Sequence, residues 1–479
     1  MSSADDLIFK RIWLKEKPLI GLMFLMFVMY SVLCILRHLH FQTSTRDFGN
    51  FDQMVWHYSR LEAPGCTDLG LKNSLGDHFS PILALCAPLF WIWPHAEMLL
   101  AAQAFLFAIS LLPIFLFSEK RMGRQPAYLL VTSFIFFWGV QHTIEYEFHP
   151  DVFAVPLIAF AIYFIDVKKW ILALVSILLL LLVKEDLTLL VAFFGVYLIM
   201  DRQWKLGGLF VLIGILFFYL EVMVWVPYFH GADGEYHHWI YSDLGQQPLD
   251  SIAAILKNPF LPFEIAFNHW VKIKTLLFLF GPFLFLPLFS RQFILMIPLI
   301  ASKELSSEPA LWGMGFHYSA TICPILVMAA ASGWAYWKQK PLFKKYCSAP
   351  LIILMINLAL IPAISPWRYI EHAKFWTFTD EEKTSAGVFA LIPSRATVAA
   401  LSSIVPHLAH RETIYSMGDD GDCKTMTPDF FVVSRDVNSW PLPYAEVESC
   451  LNEKEKNGYQ KIFDSNGWIV LESPNFPRN

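Results

Sequence analysis

Residues 170–200 read WILALVSILLLLLV-KED-LTLLVAFFGVYLIM. Two apolar runs, Trp170–Val183 and Leu187–Met200, flank the adjacent charges Lys184, Glu185 and Asp186. Each run has about 14 residues, against the roughly 20 of an ordinary spanning helix. Short apolar runs joined by charges imply helices at membrane depth. The charged groups must then face a protein interior or a water-filled cavity, because lipid cannot solvate them.

Similar runs recur on both sides of this stretch. They begin near Pro18, Met98, Ala127, Val152, Trp170, Leu187, Leu206, Thr275, Gln292, Ser319 and Ser348, which predicts about eleven transmembrane helices. Composition agrees. Of 479 residues 56% are hydrophobic and only 16% charged, whereas a soluble domain is about one quarter charged. Mean hydropathy is +0.47. Such a chain needs the lipid bilayer as partner and solvent. Its net charge of −5 argues against a nucleic-acid partner. The run from Pro18 to Leu36 is too long for a signal-peptide core and lacks a clear cleavage site, so it reads as a retained first span.

Lysine and arginine give the orientation. Lys10, Arg11, Lys15 and Lys17 precede the first run. Lys120, Arg121 and Arg124 follow the second, Lys168 and Lys169 the fourth, and Arg202 and Lys205 the sixth. Arg291 follows the eighth, and Lys338, Lys340, Lys344 and Lys345 the tenth. Every second loop is basic, so the N-terminus is expected in the cytoplasm and the C-terminal segment outside. The apolar stretch Pro81–Pro94 is then an interfacial or re-entrant helix, because a full span there would invert every later loop. The expected fold class is an all-α polytopic membrane domain over residues 1–365, with a long first outer loop at 37–94. A small extracytoplasmic α/β domain follows over 366–479. Within it Thr397–Ser403, Phe430–Ser434, Lys461–Phe463 and Trp468–Leu471 suit strands, and Tyr444–Asn457 suits a helix. Cys423 and Cys450 share this domain and could pair if it lies outside the cytoplasm. The other cysteines form no C-x-x-C pair, and no internal repeat is visible.

Candidate chemistry gathers in the loops of one polarity. The first outer loop carries Asp47 and Asp52, and later Asp77-His78. Partial desolvation there would raise a carboxylate's pKa and make it a usable base. The plainer reading is a solvated loop in which Asp47 or Asn50 caps a helix through Trp56. The second outer loop reads Glu145-Tyr146-Glu147-Phe148-His149-Pro150-Asp151, a mix that could hold a proton or a divalent ion. It could equally be a polar turn with Asp151 starting a helix. Lys184-Glu185-Asp186 is a tight turn with an internal ion pair, or a place where Lys184 meets a phosphate as a point charge. His317-Tyr318 suits either the site or an interfacial aromatic belt. His237-His238 reads as surface. Phosphate-binding glycine loops and the H-E-x-x-H and G-x-S-x-G patterns are absent from the sequence, so ATP-driven transport and zinc or serine hydrolysis lack local support.

Taken together, several motifs resemble a bacterial family of membrane proteins catalogued as domain of unknown function 2079. They are Asp47-Phe48-Gly49, Phe51-Asp52-Gln53, Trp56, Asp77-His78-Phe79-Ser80-Pro81, Gln103, Phe148-His149-Pro150, Lys184-Glu185-Asp186 and His317-Tyr318. The tail adds Ser402, Pro406-His407-Leu408, Arg411, Ile414-Tyr415 and Asp429-Phe430-Phe431-Val432-Val433. The resemblance covers nearly the whole chain. That family is similar to the GT-C superfamily of membrane glycosyltransferases, which take sugars from polyprenyl-phosphate carriers at the outer face of the membrane. Asp47, with Asp52 close by, matches the superfamily's first acidic position, and Glu147 and His149 match its second. Asp47 and Asp52 are then the expected catalytic carboxylates, and His78, Glu147, His149, Lys184, Glu185, His317 and Tyr318 the expected donor-binding groups, with Glu147 and His149 as ligands of a divalent metal ion, the one cofactor expected. The first loop departs from the superfamily pattern in lacking Asp-x-Asp. The expected partners are a polyprenyl-phosphate-linked sugar and an envelope glycan, lipid or protein acceptor, and the expected location is the bacterial inner membrane. The rival readings are a transporter or flippase of a lipid-linked or anionic solute, and a non-catalytic envelope assembly protein. The odd span number and absent repeats count mildly against a transporter.

Overall fold

The computed structural model describes residues 16–231, 234, 236–343, 348–364, 366–418 and 423–477. Lys10, Arg11, Lys15, Lys344 and Lys345, used above for orientation, lie outside the described residues, as does Cys347.

Each of the apolar runs is helical. In chain order the helices are α1 (Lys17–Leu39), α2 (Asn50–Ser59), α3 (Glu97–Met122), α4 (Arg124–Ile135), α5 (Trp138–Glu145), α6 (Asp151–Asp166), α7 (Trp170–Leu179) and α8 (Leu187–Met200). They continue with α9 (Trp204–Leu220), α10 (Pro248–Lys257), α11 (Leu261–Ala266), α12 (Trp270–Phe280), α13 (Phe293–Glu304), α14 (Ile322–Lys338), α15 (Ala349–Ile364), α16 (Asp380–Phe389) and α17 (Tyr444–Lys456). Among the described residues four helical stretches are long and apolar enough to cross a membrane: Lys17–Leu39, Glu97–Met122, Arg124–Glu145 and Trp204–His230. Shorter apolar helices include Trp170–Leu180, Leu187–Met200 and Ala349–Ile364.

The bundle core is continuous. Phe107, Phe134, Phe148, Ile162, Phe194 and Leu326 are fully buried in it. Residues such as Phe24, Ile171 and Leu212 keep apolar surface exposed on the outside of the bundle, as lipid-facing positions do. The α8–α9 pair approaches closely because Gly195 and Gly207 face one another. A β-carbon on Gly195 would lie 2.6 Å from the Gly207 carbonyl oxygen, so small residues set the helix spacing here.

Polar contacts sort the loops into two ends. At one end Arg124 pairs with Glu16 at 3.0 Å, Arg121 with Asp166 at 2.6 Å, and Arg291 with Asp201 at 3.2 Å. These ion pairs join the loops that the basic-residue pattern groups together. The acidic and histidine-rich loops meet at the opposite end.

The C-terminal region forms a five-stranded sheet of order β2-β1-β3-β5-β4. Its strands are β1 (Val398–Ala400), β2 (Ile414–Ser416), β3 (Phe430–Ser434), β4 (Gln460–Ser465) and β5 (Trp468–Glu472). β1 runs parallel to β2 and β3, while β5 pairs antiparallel with β3 and β4. β3 and β5 are buried along their whole length, and Cys423 and Cys450 form a disulfide with their Cα atoms 6.2 Å apart. The strand at Ile414–Ser416 is an addition to the sequence expectation. At three residues it is too short for its alternation to register.

Candidate functional site

The first long loop does not remain a solvated turn. Residues 45–49 form a single π-helical turn, kinked at Arg46 and Asp47, after which α2 begins. No side chain caps α2, whose N-cap position is Gly49, so capping does not account for Asp47 or Asn50. Asp47 instead adopts φ 69°, ψ −82°, a left-handed conformation that costs a non-glycine residue energy unless its surroundings hold it. Glu147, in the second loop, also has positive φ, at 105°. The two strained carboxylates belong to one cluster. Tyr146 donates its phenol to Asp47 Oδ2 at 3.0 Å, and Ser44 donates to Glu147 Oε1 at 3.4 Å.

Histidines continue the cluster. His149 Nε2 lies 3.3 Å from Asp47 Oδ1, though off the line of a hydrogen bond, and neither His149 ring nitrogen has a hydrogen-bond partner. The His149 and His317 rings stack with centroids 3.6 Å apart. His317 Nε2 in turn lies 3.6 Å from Asp151 Oδ2. The sequence thus places Asp47, Glu147, His149 and His317, from three separate loops, at one location. Tyr146 and Asp151 stood in a quoted motif without an assigned role, and both are members.

Electrostatics splits the two carboxylates. Burial pushes the Asp47 carboxyl up, but the nearby His149 and His317 and the Tyr146 hydroxyl outweigh it and hold it well below the usual range. This corrects the expectation of a raised pKa at Asp47. Glu147 is the raised group: burial, and then the Asp47 charge, push it well above the ordinary glutamate value. The pair therefore offers one carboxyl biased toward the ionised form beside one biased toward the protonated form, a separation of roles seen where acid and base must coexist. Burial and the neighbouring His149 hold His317 well below the ordinary histidine value.

Lys184 stands at the turn after α7, within electrostatic reach of Asp151, Asp186, Glu185 and Tyr318. Burial pulls its ammonium down and these acids outweigh it, so it stays charged. Its carbonyl accepts from the Leu187 amide at 3.1 Å, while among the described residues its ammonium makes no hydrogen bond and no close ion pair. Glu185 faces away from it: His78 Nδ1 lies 2.7 Å from Glu185 Oε1, and the Tyr236 hydroxyl donates to the same oxygen at 2.9 Å. Several buried polar atoms along this band lack partners, among them Glu147 Oε2, His317 Nδ1, Asp151 Oδ2, Glu185 Oε2 and Asp186 Oδ1. Unsatisfied buried groups in such density mark a place that water or a ligand must fill. Glu221, fully buried in the π-helical stretch Glu221–Trp225, also has two unpartnered oxygens and interacts with Glu185 and Asp186. Its isolation in an apolar run was the signal for it.

Asp52 lies apart from Asp47. It is fully buried and pairs with His410 of the C-terminal region at 3.0 Å. Close by, Gln53 donates to the Arg411 carbonyl at 3.0 Å. The Thr45 hydroxyl donates to the Ser402 carbonyl at 3.1 Å, and the Thr45 amide donates to Ser402 Oγ at 3.2 Å. His38 and His407 stack 3.9 Å apart. The C-terminal region is thereby seated on the loop that carries Asp47. Glu147 and His149 do not belong to a three-residue metal-ligating group. Such groups, among the described residues, are Asp77-His78-His238 and His57-Glu62-Glu412. His238, read from sequence as surface, is held 2.8 Å from Asp77.

The family described as Predicted membrane protein (DUF2079) matches residues 37–470. No curated protein sequence matches the chain. Among solved structures the chain is similar to ArnT from Cupriavidus metallidurans bound to undecaprenyl phosphate, with TM-score 0.55 and 10% identity, covering 93% of this chain and 97% of that one. The apo ArnT from the same organism gives TM-score 0.50 at the same identity and coverage. At this identity the similarity establishes a shared fold.

Proposed function

We propose that this chain, which belongs to the DUF2079 family of predicted membrane proteins, is a membrane glycosyltransferase. It moves a sugar from a polyprenyl-phosphate-linked donor to an envelope acceptor at the extracytoplasmic face of the bacterial inner membrane. The observation that carries this reading is that His317 and Tyr318, at one end of the bundle, lie within electrostatic reach of both Asp47 and the buried Lys184. The resemblance to GT-C enzymes supports it, as does the fold shared with a protein whose structure contains undecaprenyl phosphate.

In this reading the polyprenyl phosphate lies against Lys184, whose ammonium is kept charged by the acids around it and is not hydrogen-bonded to any of them. Asp47 binds the acceptor hydroxyl or amine and takes its proton as the nucleophile attacks the anomeric carbon. The bond from that carbon to the phosphate oxygen breaks, and the leaving phosphate carries the new negative charge toward Lys184. Configuration inverts in a single displacement. Glu147, His149, His317 and Tyr318 orient the donor. A divalent ion near Glu147 and His149 would need a third ligand, such as Asp47. About eleven spans, an N-terminus in the cytoplasm and residues 366–479 outside as a separate domain complete the arrangement. The helices α10 and α11 expose Leu249, Ile252, Leu256, Phe260 and Phe263, a face suited to lie in the membrane interface where a lipid-linked donor approaches.

The test is transfer in membrane vesicles supplied with the cell's own polyprenyl-linked sugars. Wild-type chain should convert donor to free polyprenyl phosphate and a glycosylated acceptor. Asp47→Asn should stop conversion while donor remains bound. Equal conversion by the two proteins would sink the proposal, and an assembly scaffold or a flippase would behave that way.

A further inference from the structure

We infer that Asp77, His78 and His238 form a binding site for one divalent transition-metal ion, zinc by its donor set, which ties the first long loop to the loop after α9. The binding stands on its own geometry. Its service to sugar transfer rests on the function proposed above, since His78 joins this site to Glu185.

The residues come from two distant stretches, 77–78 and 238, and their ligand atoms all lie within 4.8 Å of one another. His238 Nε2 and Asp77 Oδ1 are 2.8 Å apart and hydrogen-bonded; a bound ion would replace that hydrogen bond and spread the two atoms to about 3.4 Å, the spacing of tetrahedral ligands about 2.0–2.2 Å from zinc. The His78 and His238 rings stack with centroids 3.9 Å apart. Two imidazoles and one carboxylate, with a position left for water or substrate, is the donor set of an open zinc site.

A second observation points the same way. His78 gives its Nδ1 to Glu185 Oε1 at 2.7 Å, and Glu185 is itself fixed by the Tyr236 hydroxyl at 2.9 Å. That leaves Nε2 as the free lone pair of His78. A carboxylate holding the far nitrogen is the support that metal-bound histidines usually have. Glu185 is buried and its other oxygen lacks a partner. A purely structural His–Glu pair would not need a second histidine and a second carboxylate arranged on its open side.

The other three-residue group, His57-Glu62-Glu412, serves as a contrast. There Arg60 already reaches Glu62 at 3.1 Å and Glu412 at 3.5 Å, so a cation occupies the carboxylates. No described lysine or arginine pairs with Asp77 in this way.

The test uses full-length chain, purified in detergent and stripped with a chelator, then titrated with Zn²⁺ and assayed for bound metal. One zinc per chain is expected. His238→Gln and Asp77→Asn should each weaken binding at least tenfold, and Glu185→Gln by about 10–100-fold, while His57→Gln binds as wild type does. Zinc-edge X-ray absorption on the unsubstituted protein, which needs no variant to fold, should count two imidazole ligands and no sulfur. Wild type that holds no more zinc than His238→Gln would overturn the inference. So would loss on His57→Gln alone, or an absorption edge with one imidazole or a thiolate. Transfer activity is not the readout, so a transferase that ignores metal would overturn this inference and leave the proposed function standing.

Discussion

Asp47 and His149 face one another across 3.3 Å, although about a hundred residues and two spanning helices separate them in sequence. Asp47 and Glu147, the first and second carboxylates of the cluster, both sit at positive φ. The fold holds this contact against backbone strain, and strain of this kind concentrates where geometry serves function.

The first prediction concerns Asp47. Replacing it with Asn removes the charge and the proton acceptor while keeping the shape and the Tyr146 contact. Loss of general-base help costs about 10²–10⁴-fold in rate. Initial transfer rates at saturating donor should fall by that factor, with donor affinity unchanged. A fall in affinity at unchanged rate would assign Asp47 to binding alone.

Lys184 supplies the second. Its ammonium makes no hydrogen bond to the acids that keep it charged, so Lys184→Ala should weaken donor binding about tenfold to a hundredfold, the value of a charge-assisted contact of about 1.5–3 kcal/mol. Lys184→Arg should restore part of it. Binding measured with polyprenyl phosphate alone checks this, since the contact is to the phosphate and not to the sugar.

A pH dependence follows from Glu147. Its folded-state pKa is raised by burial and by Asp47, while in the unfolded chain it titrates near the free value of about 4.3. The folded state thus keeps a proton that the unfolded state gives up. The stability from this group is fully present below about pH 4.3 and is lost as pH rises through the folded value. Glu147→Gln should flatten the fall of melting temperature with rising pH above that point. An unchanged slope would place the proton elsewhere.

The sequence made the helices legible because a run of apolar residues is a local signal, and a bilayer reads it much as a pattern search does. It made much of the site legible because charges inside apolar surroundings are conspicuous: Asp47, Glu147, His149, Lys184, Glu185 and His317 were all singled out. What escaped was set by three-dimensional packing. Strain at Asp47 and Glu147 is a backbone property with no composition signal. His238 looked like surface because its partner Asp77 lies about 160 residues away. Asp52, grouped with Asp47 by proximity along the chain, points instead to His410, because the helical turn between them rotates the two side chains apart. The direction of the Asp47 shift was missed for the same reason: burial alone raises a carboxyl, and only the fold supplies the histidines and the tyrosine that reverse it.

The close approach of α8 to α9 gives a fourth prediction. Gly207→Leu would drive a side chain into Gly195 and Ile199, forcing the helices apart. Overpacking of this kind costs about 1–3 kcal/mol. A lower melting temperature than wild type in detergent is the expected effect, and an unchanged one would show that the two helices can part without cost.

The central claim is that Asp47 performs the transfer and Lys184 holds the lipid-linked phosphate in one site. Native mass spectrometry of chain purified from cells reads this directly. Asp47→Asn should carry a polyprenyl-phosphate lipid with its sugar still attached, wild type the same lipid mostly without sugar, and Lys184→Ala little of either. If Asp47→Asn and wild type carry the same lipid in the same state, or if Lys184→Ala retains it fully, the account is contradicted.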